Sequence, residues 1–480
     1  MKNHRSTAAV ALLIALGTVA AAAPVSSAQP LSPPPSASSS ATPATPSLSQ
    51  VISALERGAH PLRTTSPAGS LDDLRPLGRM VRDARVVGLG EATHGSHEFF
   101  ALKHRVFRYL VEEKGFRSFS LEASWGAGLR LNDYVLHGKG DLRSIMNEEF
   151  QGLYSWWNNP DYRELLRWMR AYNQQHPKDP VQFTGNDFGY SGPQLYDRVT
   201  SYVAAHHPSL LPRFTELYRG LRPTTPAAEH TGKYMEQPPS VRQSIAGRTA
   251  SALALLKQQK PAEGAGEKAR EAYDWAVQHA TALDQTARGY SFDMDDPAQG
   301  PAAMRYRDQV MADNVAWWQR RTGDKVLLSA HNGHVGLYSH SPQMYPKIQG
   351  AFLRDRLGKD YLSIGTTFDR GSFRAADAEE KVRTFTLGSA KPGSNEHTLD
   401  KVRHRDYVVD LRDVPAPARS WLATPRTTRS VAAAFPGPGA EFPIALSRSH
   451  DIVVHLQKVS AAQLLTGRQA ETDRSGTSGR

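Results

Sequence analysis

Short runs of β-branched and aromatic residues alternate along the chain with longer stretches whose apolar residues recur at helical spacing. The runs ARVVGLGE (84–91), FRSFSLE (116–122), VQFTGND (181–187), KVLLSAH (325–331) and YLSIGTTF (361–368) predict strands. DYVVDL (406–411) and DIVVHL (451–456) predict two more, at the sheet edges. Between Asp187 and Lys325 the pattern is helical, as in SVRQSIAGRTASALALLKQQ and EKAREAYDWAVQHATAL, with no strand. That stretch is too long for a simple crossover and predicts a helical cap over about 190–320. The expected fold is therefore α/β: a mainly parallel or mixed sheet flanked by helices in three layers, with an inserted helical cap.

The ends read differently. Lys2 and Arg5 precede an apolar stretch from Ala8 to Ala23, and Ser26-Ser27-Ala28 offers a small-residue cleavage site. Residues 1–28 thus predict a signal peptide and a secreted protein, the apolar stretch being short for a membrane anchor. Residues 29–47 are nearly all Pro, Ser, Ala, Thr and Gln and predict a disordered spacer, and 468–480 a disordered tail. The remaining 48–467 predict one catalytic domain.

There is no cysteine among the 480 residues, which excludes thiolate nucleophiles and Cys-ligated metals. Loss of Lys2 and Arg5 with the signal would take the net charge from +11 to +9, a bias towards weak association with anionic cell-wall or membrane surfaces. The basic residues are scattered, without a nucleic-acid-reading motif, so nucleic acid is not an expected partner.

The candidate chemistry gathers at one place in the pattern. Glu91, Glu122, Asp187 and His331 each end a predicted strand, and that edge of a parallel sheet is where ligands bind. In GEATHGS, Glu91 and His94 share a glycine-bounded turn, where a carboxylate can fix the tautomer of a general-base imidazole. His97 and His104 follow on a helix and read as packing or surface residues. In SAHNGHVG, His331 and His334 lie three apart in a predicted turn, a spacing open to a metal, a hydrogen-bonded pair, or one catalytic and one structural histidine. Glu122 would add a second carboxylate, or else cap the next helix. Trp156, with Tyr154 and Trp157, could wall the cleft or pack in the core, and Arg307 could contact the site or pair with a neighbouring helix. No GxSxG elbow, GxxxxGK[ST] loop or GxGxxG fingerprint is present, which disfavours serine-esterase and nucleotide chemistry.

Taken together, VVGLGEATHGSHEFF, GFRSFSLEASWG, WWNNPDYRELLRWMRAYN, VQFTGNDFGY, RDQVMADNVAWW, LLSAHNGHVG and YLSIGTTFDRGSF resemble the erythromycin esterase family over roughly 80–375. The resemblance implies hydrolysis of an ester or macrolactone, such as a macrolide, by water that a histidine deprotonates, with no covalent intermediate. It implies His94 as base, Glu91 and Glu122 as essential carboxylates, and His331 as partner histidine. His334, Lys103, Asp187, Arg307 and Trp156 are expected around the substrate, and Lys103 takes a position where the family is expected to carry arginine. No metal and no other cofactor is expected. Distant resemblance to Tiki-type proteases leaves metal-dependent hydrolysis as an alternative, and a distant haem-associated branch leaves a haem or small-ligand binding protein as another.

Overall fold

A computed structural model describes residues 46–465 except 436, 438 and 439. The expected signal peptide, nearly all of the expected spacer and the expected tail lie outside the described residues. Among those residues no helix is long and apolar enough to cross a membrane.

Eleven strands are described: β1 (Ala59–Pro61), β2 (Val86–Leu89), β3 (Phe116–Ser124), β4 (Gln182–Asp187), β5 (Lys325–Ser329), β6 (Tyr361–Ala376), β7 (Val382–Leu387), β8 (Tyr407–Asp410), β9 (Arg426–Arg429), β10 (Glu441–Ile444) and β11 (Ile452–Val459). Nine form one mixed sheet in the order β1-β8-β11-β6-β2-β5-β3-β4, with β7 paired to β6. The run from β11 to β4 is parallel, whereas β1, β8 and β7 join antiparallel. β9 and β10 make a separate antiparallel hairpin.

Two expectations are corrected here. The segments expected as edge strands, β8 and β11, are interior, because β11 lies between β8 and β6 while β1 covers β8. Their residues are buried on both faces, as an interior position requires. The edges belong instead to β1 and β4, and the Pro61 that ends β1 fits an edge, where a missing N–H breaks no ladder.

Alternation along the strands divides the core. Val87, Leu89, Phe119, Leu121 and Leu327 pack under the helices Arg75–Val81, His97–Lys114 and Pro160–Gln175. Val86, Val326 and Leu328 turn to the other face, against helices of the 193–322 stretch and the helix Gln349–Leu357. The strand-free helical stretch thus covers one sheet face, and its last helix, Gly300–Thr322, runs on to the functional edge. On the first face Phe119 stacks on Phe183 with ring centroids 5.8 Å apart. Phe119→Ala would cost about 3–5 kcal/mol through the cavity it leaves.

Candidate active site

The two turns that carry the histidines are tied together before any side chain is considered. The Asn332 N–H donates to the Glu91 carbonyl at 2.9 Å, and a Cβ at Gly90 would meet Asn332 Oδ1 at 2.1 Å, so only glycine admits this approach. Asn332 is clamped to β6 by a pair of bonds with Thr366, at 2.7 and 3.0 Å. The β9–β10 hairpin is tied on by Val431 N donating to Ala92 O at 2.8 Å.

On this frame His94 Nδ1 lies 3.0 Å from Glu91 Oε1, both side chains buried. The imidazole donates from Nδ1, leaving the Nε2 lone pair free. Lys103 pairs with the other oxygen of Glu91 and donates to Ser329 Oγ at 3.0 Å and Ala330 O at 3.3 Å. Burial dominates and, with His334 and Arg307 and against Glu122, draws His94 down to about 4. It is neutral at pH 7. Burial also pulls the Lys103 ammonium well down, against Glu122, which raises it, and the side chain rests against Glu91.

His331 has the complementary polarity. It caps the short helix Asn332–Val335, its Nδ1 accepting from the Gly333 N–H at 3.1 Å, so the proton sits on Nε2. That Nε2 is buried and has no protein partner. Burial and the neighbouring His94 hold the ring neutral.

Glu122 ties the remaining groups together. Its Oε2 accepts from the His331 N–H at 2.9 Å and its Oε1 from Arg307 Nη2 at 2.9 Å, with His334 Nε2 3.4 Å away. Burial would raise this carboxyl, but His334, His94 and Arg307 outweigh it and keep it well below the usual carboxylate range. Arg307 also donates to Asp187 Oδ2 at 2.9 and 2.7 Å. His334 Nδ1 lies 2.8 Å from Asp308 Oδ1. Against the effect of burial, Asp308 and Glu122 raise His334.

These groups border a cavity of about 90 Å³, room for about three waters at liquid density. His94, Glu122, Arg307, His331 and His334 line it, under a roof that includes His340, Tyr345 and Phe442. The ring of His340 lies 4.4 Å from that of Phe442, joining the loop after β5 to the hairpin.

Sequence reasoning and structure part at several residues. Lys103, expected against substrate, is 1% exposed and positions Glu91 from behind. Asp187, also expected there, reaches the cavity only through Arg307. Trp156 packs in the core, and it is Trp157 that meets His94 edge-on, at 5.1 Å between centroids, while donating to Glu122 O at 2.7 Å. His331 and His334 lie on a short helix and its cap rather than a turn. Ser124, not Glu122, caps the helix Trp125–His137. His97 is partly exposed beside Asp161 and His104 is buried, in keeping with packing and surface roles. Asp308 was not among the expected site residues; a charge directly beside Arg307 was its only signal in the sequence.

Among the described residues one group could hold a metal: Glu91, His94 and Glu122 bring donor atoms within 4.8 Å of one another. Both carboxylates there already face a buried cation, Lys103 or Arg307. A divalent ion would add charge beside the Lys103 amine and the Arg307 guanidinium, which the donor set does not favour.

A carboxylate-oriented histidine thus lies opposite a second histidine at the C-terminal edge of the mixed sheet of this α/β protein. The chain belongs to the erythromycin esterase family, whose profile matches residues 111–459. It is 25% identical to erythromycin esterase type II of Escherichia coli, over 75% of this chain and 88% of that one. It is likewise 25% identical to the putative hydrolase YbfO of Bacillus subtilis, over 78% of this chain and 84% of that one. A crystal structure of a Bacillus cereus protein superposes with a TM-score of 0.79 at 30% identity, covering 88% of this chain and all of the other. The erythromycin esterase EreC, as a mutant in its open conformation, shares the fold with a TM-score of 0.64 at 18% identity, over 84% of this chain and 98% of that one. Membership of the family supports a hydrolase.

Proposed function

We propose that this hydrolase cleaves a carboxylic ester or macrolactone with water activated by His94. The observation that carries the reading is the pairing of polarities in one cavity: a free acceptor on His94 and an unpartnered donor on His331. His94 Nε2 takes a proton from water as the oxygen attacks the carbonyl carbon, and Glu91 stabilises the imidazolium. The His331 Nε2–H donates to the oxyanion, and Arg307 adds positive charge at the same wall. On collapse His94 returns its proton to the leaving alkoxide, so ester and water become acid and alcohol. Glu122 orients rather than transfers protons, since its oxygens are engaged by Arg307 and the His331 amide.

A macrolide is the substrate the family name favours, and one as large as a macrocycle would need the roof to open. The apolar segment behind Lys2 and Arg5 supports export, with the mature chain beginning near Gln29. Incubation with macrolides, simple lactones and aryl esters in ¹⁸O-water tests the reaction. Expected is one label in the acid product and no acyl-enzyme by intact mass; an acylated protein, or no hydrolysis across the panel, overturns the reading.

A further inference from the structure

Part of the positive charge of the chain, +11 in all, gathers at one sheet edge. β1 and β8 pair antiparallel, with His60 opposite Val408 and Pro61 opposite Tyr407, and the Leu62 N–H donates to the Asp406 carbonyl at 2.8 Å. The same register sets Arg63 beside Arg405 just past the pairing. The Arg403 N–H donates to Glu56 Oε1 at 3.0 Å, which brings Arg403 to the end of the helix Leu48–Gly58, where Arg57 lies. Arg79, on the helix Arg75–Val81, is close enough to act on His60: burial, then Arg79 and His404, hold that imidazole below its ordinary value.

Arg57, Arg63, Arg79, Arg403 and Arg405 are all exposed, and among the described residues none of these side chains has an ion-pair or hydrogen-bond partner. The cations around them differ: Arg75 is matched by Asp72, Arg82 by Asp413 and Arg105 by Asp73. The acids left beside the unmatched arginines are Glu56 and Asp406, and each already accepts a backbone N–H, from Arg403 and from Gln457. Like charges held together in this way repel one another, a cost that a polyanion would remove. Leu62, Val402 and Tyr407, the large apolar side chains of the two segments, are buried. The edge therefore offers no apolar group to enter a bilayer and no ring on which a base could stack. None of the five arginines lines the catalytic cavity.

We propose that this arginine edge docks a linear phosphodiester polymer without bases, such as a poly(glycerol phosphate). Each guanidinium fork can donate two parallel N–H bonds to the free oxygens of one phosphate, the recognition that clustered arginines serve. A polymer with one charge per repeat meets several of the arginines at once and releases counterions from each phosphate it gives up. The protein would then be held on the polymer by its β1–β8 edge, with the cavity at the C-terminal edge of the sheet left clear. This docking stands apart from the hydrolase reading, since it involves none of the groups assigned to the chemistry.

Calorimetric titration of the protein with deacylated poly(glycerol phosphate) over a range of salt concentrations tests the proposal. With about five phosphates neutralised, affinity should fall about a hundredfold between about 50 and 200 mM KCl. The triple variant Arg63→Gln, Arg79→Gln, Arg405→Gln should bind more weakly in low salt and lose only about sevenfold over the same range. None of these side chains bonds to another protein group, so its melting temperature should match that of the wild type. Lys178→Gln, Lys260→Gln, Lys268→Gln removes the same charge from exposed positions elsewhere and should bind as the wild type does. No binding in low salt, an equal loss in the lysine variant, or a salt dependence that the arginine substitutions leave unchanged overturns the proposal. So does tighter binding through the same arginines to phosphatidylglycerol vesicles, polygalacturonate or a single-stranded oligonucleotide, which would give the edge to a bilayer, a polycarboxylate or a nucleic acid instead.

Discussion

His94 and His331 face one another with ring centroids 5.0 Å apart and opposite hydrogen-bonding polarity. Glu91 fixes one as an acceptor towards the cavity, and the Gly333 amide fixes the other as a donor. An acceptor and a donor are thus set by backbone and carboxylate contacts on opposite sides of one cavity.

If the two rings have these roles, His94→Ala and His331→Ala should each lower turnover about a hundredfold or more. His97→Ala, at a partly exposed position paired with Asp161, should be mild. Steady-state kinetics on folded variants decides this, and comparable losses in all three would show that the wrong turn has been assigned to the chemistry.

Lys103 makes a prediction about pH rather than rate alone. His94 drawn down to about 4 stays a base well below the usual imidazole midpoint, so kcat/KM should not fall as pH drops through 6.5. Lys103→Met would leave Glu91 an uncompensated negative charge, which favours imidazolium. The acid limb should then move up in pH, while Lys103→Arg should hold it in place. A limb that does not move in the methionine variant would mean that Lys103 does not govern the Glu91–His94 pair.

What was legible in the sequence was local. Glu91, Glu122, Asp187 and His331 could be placed at strand ends because each closes a short apolar run, and a parallel sheet brings such ends to one edge. The hairpin that helps roof the cavity was not legible. RTTR is wholly polar and EFPI is short and holds a proline, and their pairing, Glu441 with Arg429, is made across a loop rather than written in either segment. The interior position of β11 escaped notice although IVVHL is buried on both faces, the mark of a central strand. Lys103 was expected near substrate from the resemblance alone; residues Phe99 to Phe107 are all buried, and the lysine meets Glu91.

Stability should peak between two opposed groups of titrations. His104 and His279 are drawn down by burial to about 3, below the unfolded 6.5, so their contribution is complete above pH 6.5 and is lost as pH falls. Glu396 runs the other way. Burial raises it from 4.5 to about 7, so its contribution is present below pH 4.5 and is lost as pH rises through about 7, on the order of 3 kcal/mol in all. Glu396→Gln keeps the acceptor for the Arg429 N–H and removes the titration. Thermal melts should show the variant gaining on the wild type from pH 6 to 8, and a constant gap would discount Glu396.

Hydrolysis should survive removal of divalent metal. Three donors at Glu91, His94 and Glu122 are close enough for an ion, and zinc in a catalytic site commonly has three protein ligands and a water. Each donor, however, has other work in the observed arrangement. His94 gives Nδ1 to Glu91, Glu91 faces Lys103, and Glu122 accepts from Arg307 and the His331 amide. A metal on these oxygens would sit beside both buried cations, and the resulting repulsion in a low dielectric would oppose binding. On the proposed mechanism the same residues act as base, orienter and oxyanion donor, which is sufficient for water-dependent ester cleavage. Chelator-treated, dialysed protein with metal content verified by elemental mass spectrometry should retain its rate on whichever ester it cleaves. Activity that vanishes with the metal and returns with zinc, manganese or cobalt would make the Glu91–His94–Glu122 group a metal centre and His94 a ligand instead of the base.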